Sequence, residues 1–189
     1  MTYKVIQLNS GAKLSPHLAS PSVAALSNLS ELNCVRLSPH FTLGELTITS
    51  HKVYNIPSHE AIENLKRVCE WLEYLRKRYN ELYQTTPGPS SREEGRTPIV
   101  INSGYRSPQL NRKVGGVPTS NHLTGCAVDI RVSGMEQLIQ YAAILIQYAN
   151  ETHQDYDELL LERNQHGAIW LHFAVRPAAN RRKVKVLQT

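Results

Sequence analysis

The stretch Ser120–Ile130, SNHLTGCAVDI, sets a histidine in a short loop and, a few residues on, an aspartate inside an apolar run. A buried carboxylate without a partner is costly, so Asp129 must face water, a cation or a metal. Alternation along a strand sorts AVDIRV into two faces: Val128, Ile130 and Val132 on one, Ala127, Asp129 and Arg131 on the other. The later run AIWLHFAV sorts the same way, with Ile169, Leu171, Phe173 and Val175 opposite Trp170, His172 and Ala174. Each strand thus has an apolar side for a core and a second side bearing one potential ligand. With His122 from the loop, the set is two imidazoles and a carboxylate. That is a zinc set, and three protein ligands leave a fourth position for water. Taken singly, His122 could instead be a loop histidine hydrogen-bonded to backbone, His172 a satisfied histidine on a sheet face, and Asp129 could pair with Arg106 or Arg131.

The elements that must position these residues follow from periodicity and punctuation. Residues 58–82 read as a helix: Ser58 is an N-cap, Glu60 faces the positive end of the dipole, and Ile62, Leu65, Cys69, Leu72, Leu75 and Tyr79 form one apolar stripe. Ser107 followed by Pro108 starts a short helix that Gly115–Gly116 stops. Residues 134–150 read as a second long helix with Leu138, Ile139, Ala142, Leu145 and Ala149 inward. IVIN (99–102) and AVDIRV (127–132) read as strands, and ELLLE and AIWLHFAV as a hairpin joined by the polar RNQHG. LSPHFTLGELTIT reads as an irregular segment docking on the core, and residues 1–36 as an N-terminal extension of uncertain structure. The Pro-, Gly- and Ser-rich Gln84–Pro98 segment reads as a flexible surface loop within one domain, 37–189. The fold expected is α+β, helices packed on a small antiparallel sheet.

Composition narrows the function classes. A chain of 189 residues with 41% hydrophobic and 20% charged residues suits one domain with a real core. The net charge of +5 suits an anionic partner such as a wall polymer, but no nucleic-acid signature accompanies it. The basic RPAANRRKVKV segment near the C-terminus reads as a solvated edge strand. No apolar run is long enough to cross a bilayer. The N-terminus has no apolar h-region, which predicts a chain that is cytoplasmic as synthesised and is released to act elsewhere. Cys34, Cys69 and Cys126 show no metal-binding spacing, and Cys69 and Cys126 are read as core. The partners expected are a substrate and no nucleic acid or membrane, for a monomer.

The ordered run SGYRSPQLN, VGG, SNHLTGCAVDI and WLHF resembles the zinc murein peptidases that include D-alanyl-D-alanine carboxypeptidases and phage endolysins, a group sharing its fold with the hedgehog signalling domain. The family pattern S-x-H-x-x-G-x-A-x-D, followed some forty residues on by W-x-H, is matched at Ser120, His122, Gly125, Ala127, Asp129, Trp170 and His172. Phe41 to Arg76 also resembles the lead-in of one phage and bacterial branch, so the resemblance covers roughly residues 37–176. It implies that His122, Asp129 and His172 hold one Zn²⁺, which polarises the scissile carbonyl and lowers the pKa of a bound water to about 7. It further implies that Arg106 holds a substrate carboxylate or the oxyanion, that Ser120 supports the ligand loop or the substrate, and that Trp170 walls the site. The substrate implied is a peptidoglycan stem peptide, cut by a carboxypeptidase or an endopeptidase.

One departure concerns the general base. Many members carry an acid three residues before the last histidine, where this chain has Ile169. Glu162, at the end of LLLE, is the natural substitute, with His166 in the hairpin loop in reserve. Directly opposed residues of an antiparallel pair share a face, so Glu162 lies on the metal side if it opposes Trp170 and points away if it opposes Ile169. The missing acid also motivates an alternative, a non-catalytic zinc-containing module that binds cell wall or peptide.

Overall fold

The computed structural model describes residues 34–83 and 96–188; most of the expected N-terminal extension, 1–36, and most of the Gln84–Pro98 loop lie outside them. The segment read as irregular contains a one-turn helix, α1 (Leu43–Leu46). Its N-cap Thr42 accepts the Glu45 N–H while the Glu45 carboxylate accepts the Thr42 N–H, a capping box that the T-x-x-E spacing spells out. Phe41, Leu43 and Leu46 are buried by this turn. Glu73 clamps the segment from the long helix by accepting from Ser38 Oγ at 2.6 Å and from the His40 N–H at 2.7 Å.

Helix α2 (His59–Tyr83) begins where the sequence places it, with Ser58 Oγ accepting the Ala61 N–H at 3.2 Å. Its stripe buries Ile62, Leu65, Val68, Cys69, Trp71, Leu72 and Leu75. Trp71 is 1% exposed and packs on Phe173 at a ring-centroid distance of 5.2 Å. Helix α3 (Pro108–Lys113) is capped by Ser107. Helix α4 (Met135–Thr152) packs on α2, and buries Leu138, Tyr141, Ala142, Ile144, Leu145 and Ala149. Ile139, expected inward, is 54% exposed. At about 100° per residue it lies about a quarter-turn from the centre of the 138–142–145–149 stripe, on the helix's solvent side.

Five strands form one sheet among the described residues: β1 (Ile101–Ser103), β2 (Ala127–Arg131), β3 (Glu158–Arg163), β4 (Ile169–Ala174) and β5 (Lys183–Gln188), in the order β1-β2-β4-β3-β5. The antiparallel plan holds for β1 to β4, while β5 adds a parallel edge beside β3, making the α+β sheet mixed. The basic edge is thus a strand, and its Lys183 and Lys185 carry the charges that keep such an edge from pairing further. One face of the sheet, with Val128, Ile130, Leu159, Leu171 and Phe173, closes the core against α2 and α4. Each such side chain contributes about 1.5–3 kcal/mol on full burial. The other face floors a cleft.

Candidate active site

Strand pairing brings the first two polar residues together. β2 and β4 run antiparallel with Asp129 directly opposite His172, on the face turned away from the core. His172 Nδ1 lies 2.9 Å from Asp129 Oδ1. His122 comes from a single 3-10 turn (Asn121–Thr124) between α3 and β2. Ser120 caps that turn, accepting the His122 N–H at 3.3 Å. Gly125 ends it at φ 73°, in the left-handed region, where a Cβ would also collide with the Ala61 carbonyl of α2. Asn64 of α2 donates to the Thr124 carbonyl at 2.9 Å, so the long helix holds the turn from behind.

His122 Nδ1 donates to the Gly104 carbonyl at 2.6 Å, which leaves Nε2 free of its proton and turned inward. That nitrogen lies 3.3 Å from Asp129 Oδ1 and 3.3 Å from His172 Nδ1. Gly104 can approach because a Cβ there would meet the Leu46 carbonyl of α1. The three ligand atoms all fall within 4.8 Å of one another, and the residues are 2%, 8% and 7% exposed. Two imidazole nitrogens and one carboxylate oxygen, converging in a buried pocket with one histidine already locked in the ligating tautomer, fit a zinc ion.

Electrostatics fit the same role. Burial raises the Asp129 pKa, but the two imidazoles outweigh it and hold the carboxyl well below the usual range, so it stays ionised. Burial lowers the His122 pKa against the pull of Asp129, keeping that ring neutral. Burial also works against the charge on His172, yet the hydrogen bond to Asp129 and the nearby Glu158 carboxylate push it up to about 9. A metal must therefore displace a proton there.

Arg106 is placed by a web of backbone and amide bonds. Its own N–H donates to the His122 carbonyl at 3.0 Å, and Tyr105 N–H donates to the Leu46 carbonyl at 2.7 Å. Asn55 ties both sides, donating to the Tyr105 carbonyl at 3.0 Å and accepting the Ser107 N–H at 2.7 Å. The Arg106 guanidinium grips Asp129 Oδ2 through Nη2 and donates from Nε to Ser103 Oγ at 2.8 Å. Arg131 turns elsewhere, donating to Asn102 at 3.0 Å.

Arg106, His122, Asp129 and His172 line a cleft of about 670 Å³, together with Glu162, Trp170, Leu160, Leu187 and the Val114–Val117 loop. Glu162 opposes Trp170 in the β3–β4 pair and so shares the face of His172. Burial raises its pKa, with the nearby Asp129 charge adding to the rise. His166 is exposed in the hairpin turn and does not line the cleft. A smaller depression of about 180 Å³, lined by Ile48–His51 and Asn102, adjoins the cleft at Arg106 and Val114.

Sequence reasoning passed over Glu158 and Asn121. Glu158 lines the cleft on the face of Glu162, and alternation from Glu162 back through Leu160 would have found it. Asn121 donates to Asp157 at 2.8 Å and to Glu158 at 3.1 Å, contacts that no local spacing announces.

No curated protein matches the chain. Residues 39–149 match the family model described as Peptidase M15; the match takes in Arg106, Ser120, His122 and Asp129, while His172 and Glu162 lie beyond it and join them through the sheet. More than half of the chain is covered, and the chain belongs to the peptidase M15 family.

Proposed function

We propose that the protein is a zinc-dependent peptidase that hydrolyses a peptide bond within peptidoglycan stem peptides. The observation that carries this reading is the convergence of His122, Asp129 and His172 at one point of a cleft that also receives Glu162 and Arg106. The zinc, held by those three side chains, supplies Lewis-acid chemistry toward the carbonyl and the attacking water. Glu162 takes the proton of that water and delivers it to the leaving amine; its raised pKa keeps the carboxylate basic enough to do both. Arg106 keeps Asp129 charged and in place, and its position on the cleft wall lets the rest of its fork meet the developing oxyanion. Ser120 holds the His122 turn, and Trp170 walls the substrate on the Glu162 side.

A second depression that shares Arg106 and Val114 with the cleft would lengthen the path for a bound chain, and on that ground we favour an internal cut over removal of a terminal residue. Ile169 motivated a metal-bearing module without catalysis; a glutamate on the metal face counts against it. Mass spectrometry of purified stem peptides, incubated with the protein with and without a chelator, tests the proposal. Chelator-sensitive internal cleavage is the expected result, and loss of one terminal alanine would make the enzyme a carboxypeptidase. Unchanged peptides from protein that carries zinc would overturn catalysis.

A further inference from the structure

His172 approaches the other two ligands through Nδ1, which leaves Nε2 on the far side of the ring. With Nδ1 given to a metal, the ring's remaining proton must sit on Nε2. That nitrogen is buried and has no hydrogen-bond partner within ordinary reach. A buried N–H left unmade is costly, so the local structure must supply an acceptor or lose the ligand's orientation. Glu158 Oε2 lies 3.6 Å away.

The placement of Glu158 is over-determined. Its Oε1 accepts from Lys183 Nζ at 2.7 Å and meets Arg181 Nη2 at 3.0 Å. Its Oε2 accepts from Asn121 Nδ2 at 3.1 Å, on the same side as His172 Nε2. The two cations thus occupy one oxygen and leave the other for the ring. Asn121 adjoins His122 in the ligand turn, Glu158 lies on β3, and Lys183 opens β5.

We propose that Glu158 is the positioning residue for His172: its carboxylate takes the Nε2–H, fixes the tautomer that frees Nδ1 for the metal, and is itself held by Lys183, Arg181 and Asn121. The inference rests on the metal centre proposed above and adds a function for β5, which bonds to β3 and supplies a cation to the residue behind a ligand. A carboxylate behind a ligating histidine raises its basicity and restricts its rotation, and loss of such a partner costs about 10–100-fold in metal affinity.

The test is zinc affinity of the full chain by chelator competition, which needs no substrate. Glu158→Ala is expected to weaken zinc binding about 10–100-fold. Glu158→Gln, which keeps the shape and an acceptor oxygen but not the charge, should fall between Glu158→Ala and wild type and serves as the folding control. Lys183→Met should weaken binding by less than Glu158→Ala. In the zinc-loaded wild type the His172 Nε2 proton should be slow to exchange by NMR, and fast in Glu158→Ala. Glu158→Ala with wild-type affinity, its only loss being in the stability of metal-free protein, would overturn the proposal and leave a structural salt bridge. Wild-type protein that binds no zinc would remove the metal centre itself, whereas zinc-bearing protein that leaves stem peptides uncut would remove only the peptidase reading.

Discussion

At the scale of single residues, the site combines a ligand set with two carboxylates in different roles. His122→Ala or His172→Ala should lower zinc affinity by more than about 100-fold, beyond the usual range for groups behind a ligand. Far-UV circular dichroism should be retained, because Asp129 keeps Arg106 and the remaining imidazole as partners. Glu162→Gln should bind zinc as wild type does and lose about 10²–10⁴-fold in turnover, since Glu162 is proposed as the proton carrier and not as a ligand. A Glu162→Gln enzyme of undiminished turnover would remove Glu162 from that role. The residue types were legible in the sequence: the two strand faces were read from alternation, the loop histidine from its place before the strand, and the family resemblance joined them into one set. The face of Glu158 was legible by the same alternation, but its meeting with Asn121 was not, because an amide and a carboxylate distant in the chain come together only once the ligand turn packs against β3.

At the scale of elements, helices and strands with strong periodicity lay where the sequence put them, and the exceptions have local causes. Helix α1 is a single turn, too short for an apolar stripe, and only its capping box marks it. Ile139 illustrates the limit of reading a helix face one residue at a time: its type is right, its angle wrong. Glu73 offers an acid test of how the 36–46 segment is held. Burial opposes its charge, but bonds from Ser38 and His40 lower its pKa below the ordinary 4.5. A depressed folded pKa contributes stability that is present above pH 4.5 and lost as pH falls through the lower folded value. Glu73→Gln should therefore cost about 1–3 kcal/mol near neutrality, from the lost charge-assisted bonds, and flatten the acid limb of stability. Denaturant melts from pH 7 down to 3 would show it; an unchanged acid limb would mean that the clamp contributes nothing.

At the scale of the molecule, the core and the proposed metal site share the sheet, one on each face, so metal binding should be felt as global stability. Zinc at 100 times its dissociation constant should add about 2.7 kcal/mol, or a rise of about 5–10 °C in Tm for a chain of this size, reversed by chelator. Calorimetry with and without chelator would decide it, and a Tm blind to metal would separate the site from the fold. Trp71→Ala, on α2 and packed on Phe173 on the core side of the sheet, should cost about 3–5 kcal/mol and make folding more metal-dependent. Among the described residues no helix is long and apolar enough to cross a membrane.

What the sequence determined by itself was chemistry of short range: which residues can ligate, which face of a strand or helix is apolar, where a helix is capped. These follow from side-chain type and a repeat of two or 3.6 residues, and both are written locally. The tertiary structure alone decided register and neighbours. Whether Glu162 opposed Trp170 or Ile169 turned on a single step in the β3–β4 pairing, and that step is set by how the hairpin seats its apolar face on α2 and α4. The parallel docking of β5, which sets Lys183 and Arg181 behind Glu158, depends on the path of the chain around the sheet edge, and no local period encodes it.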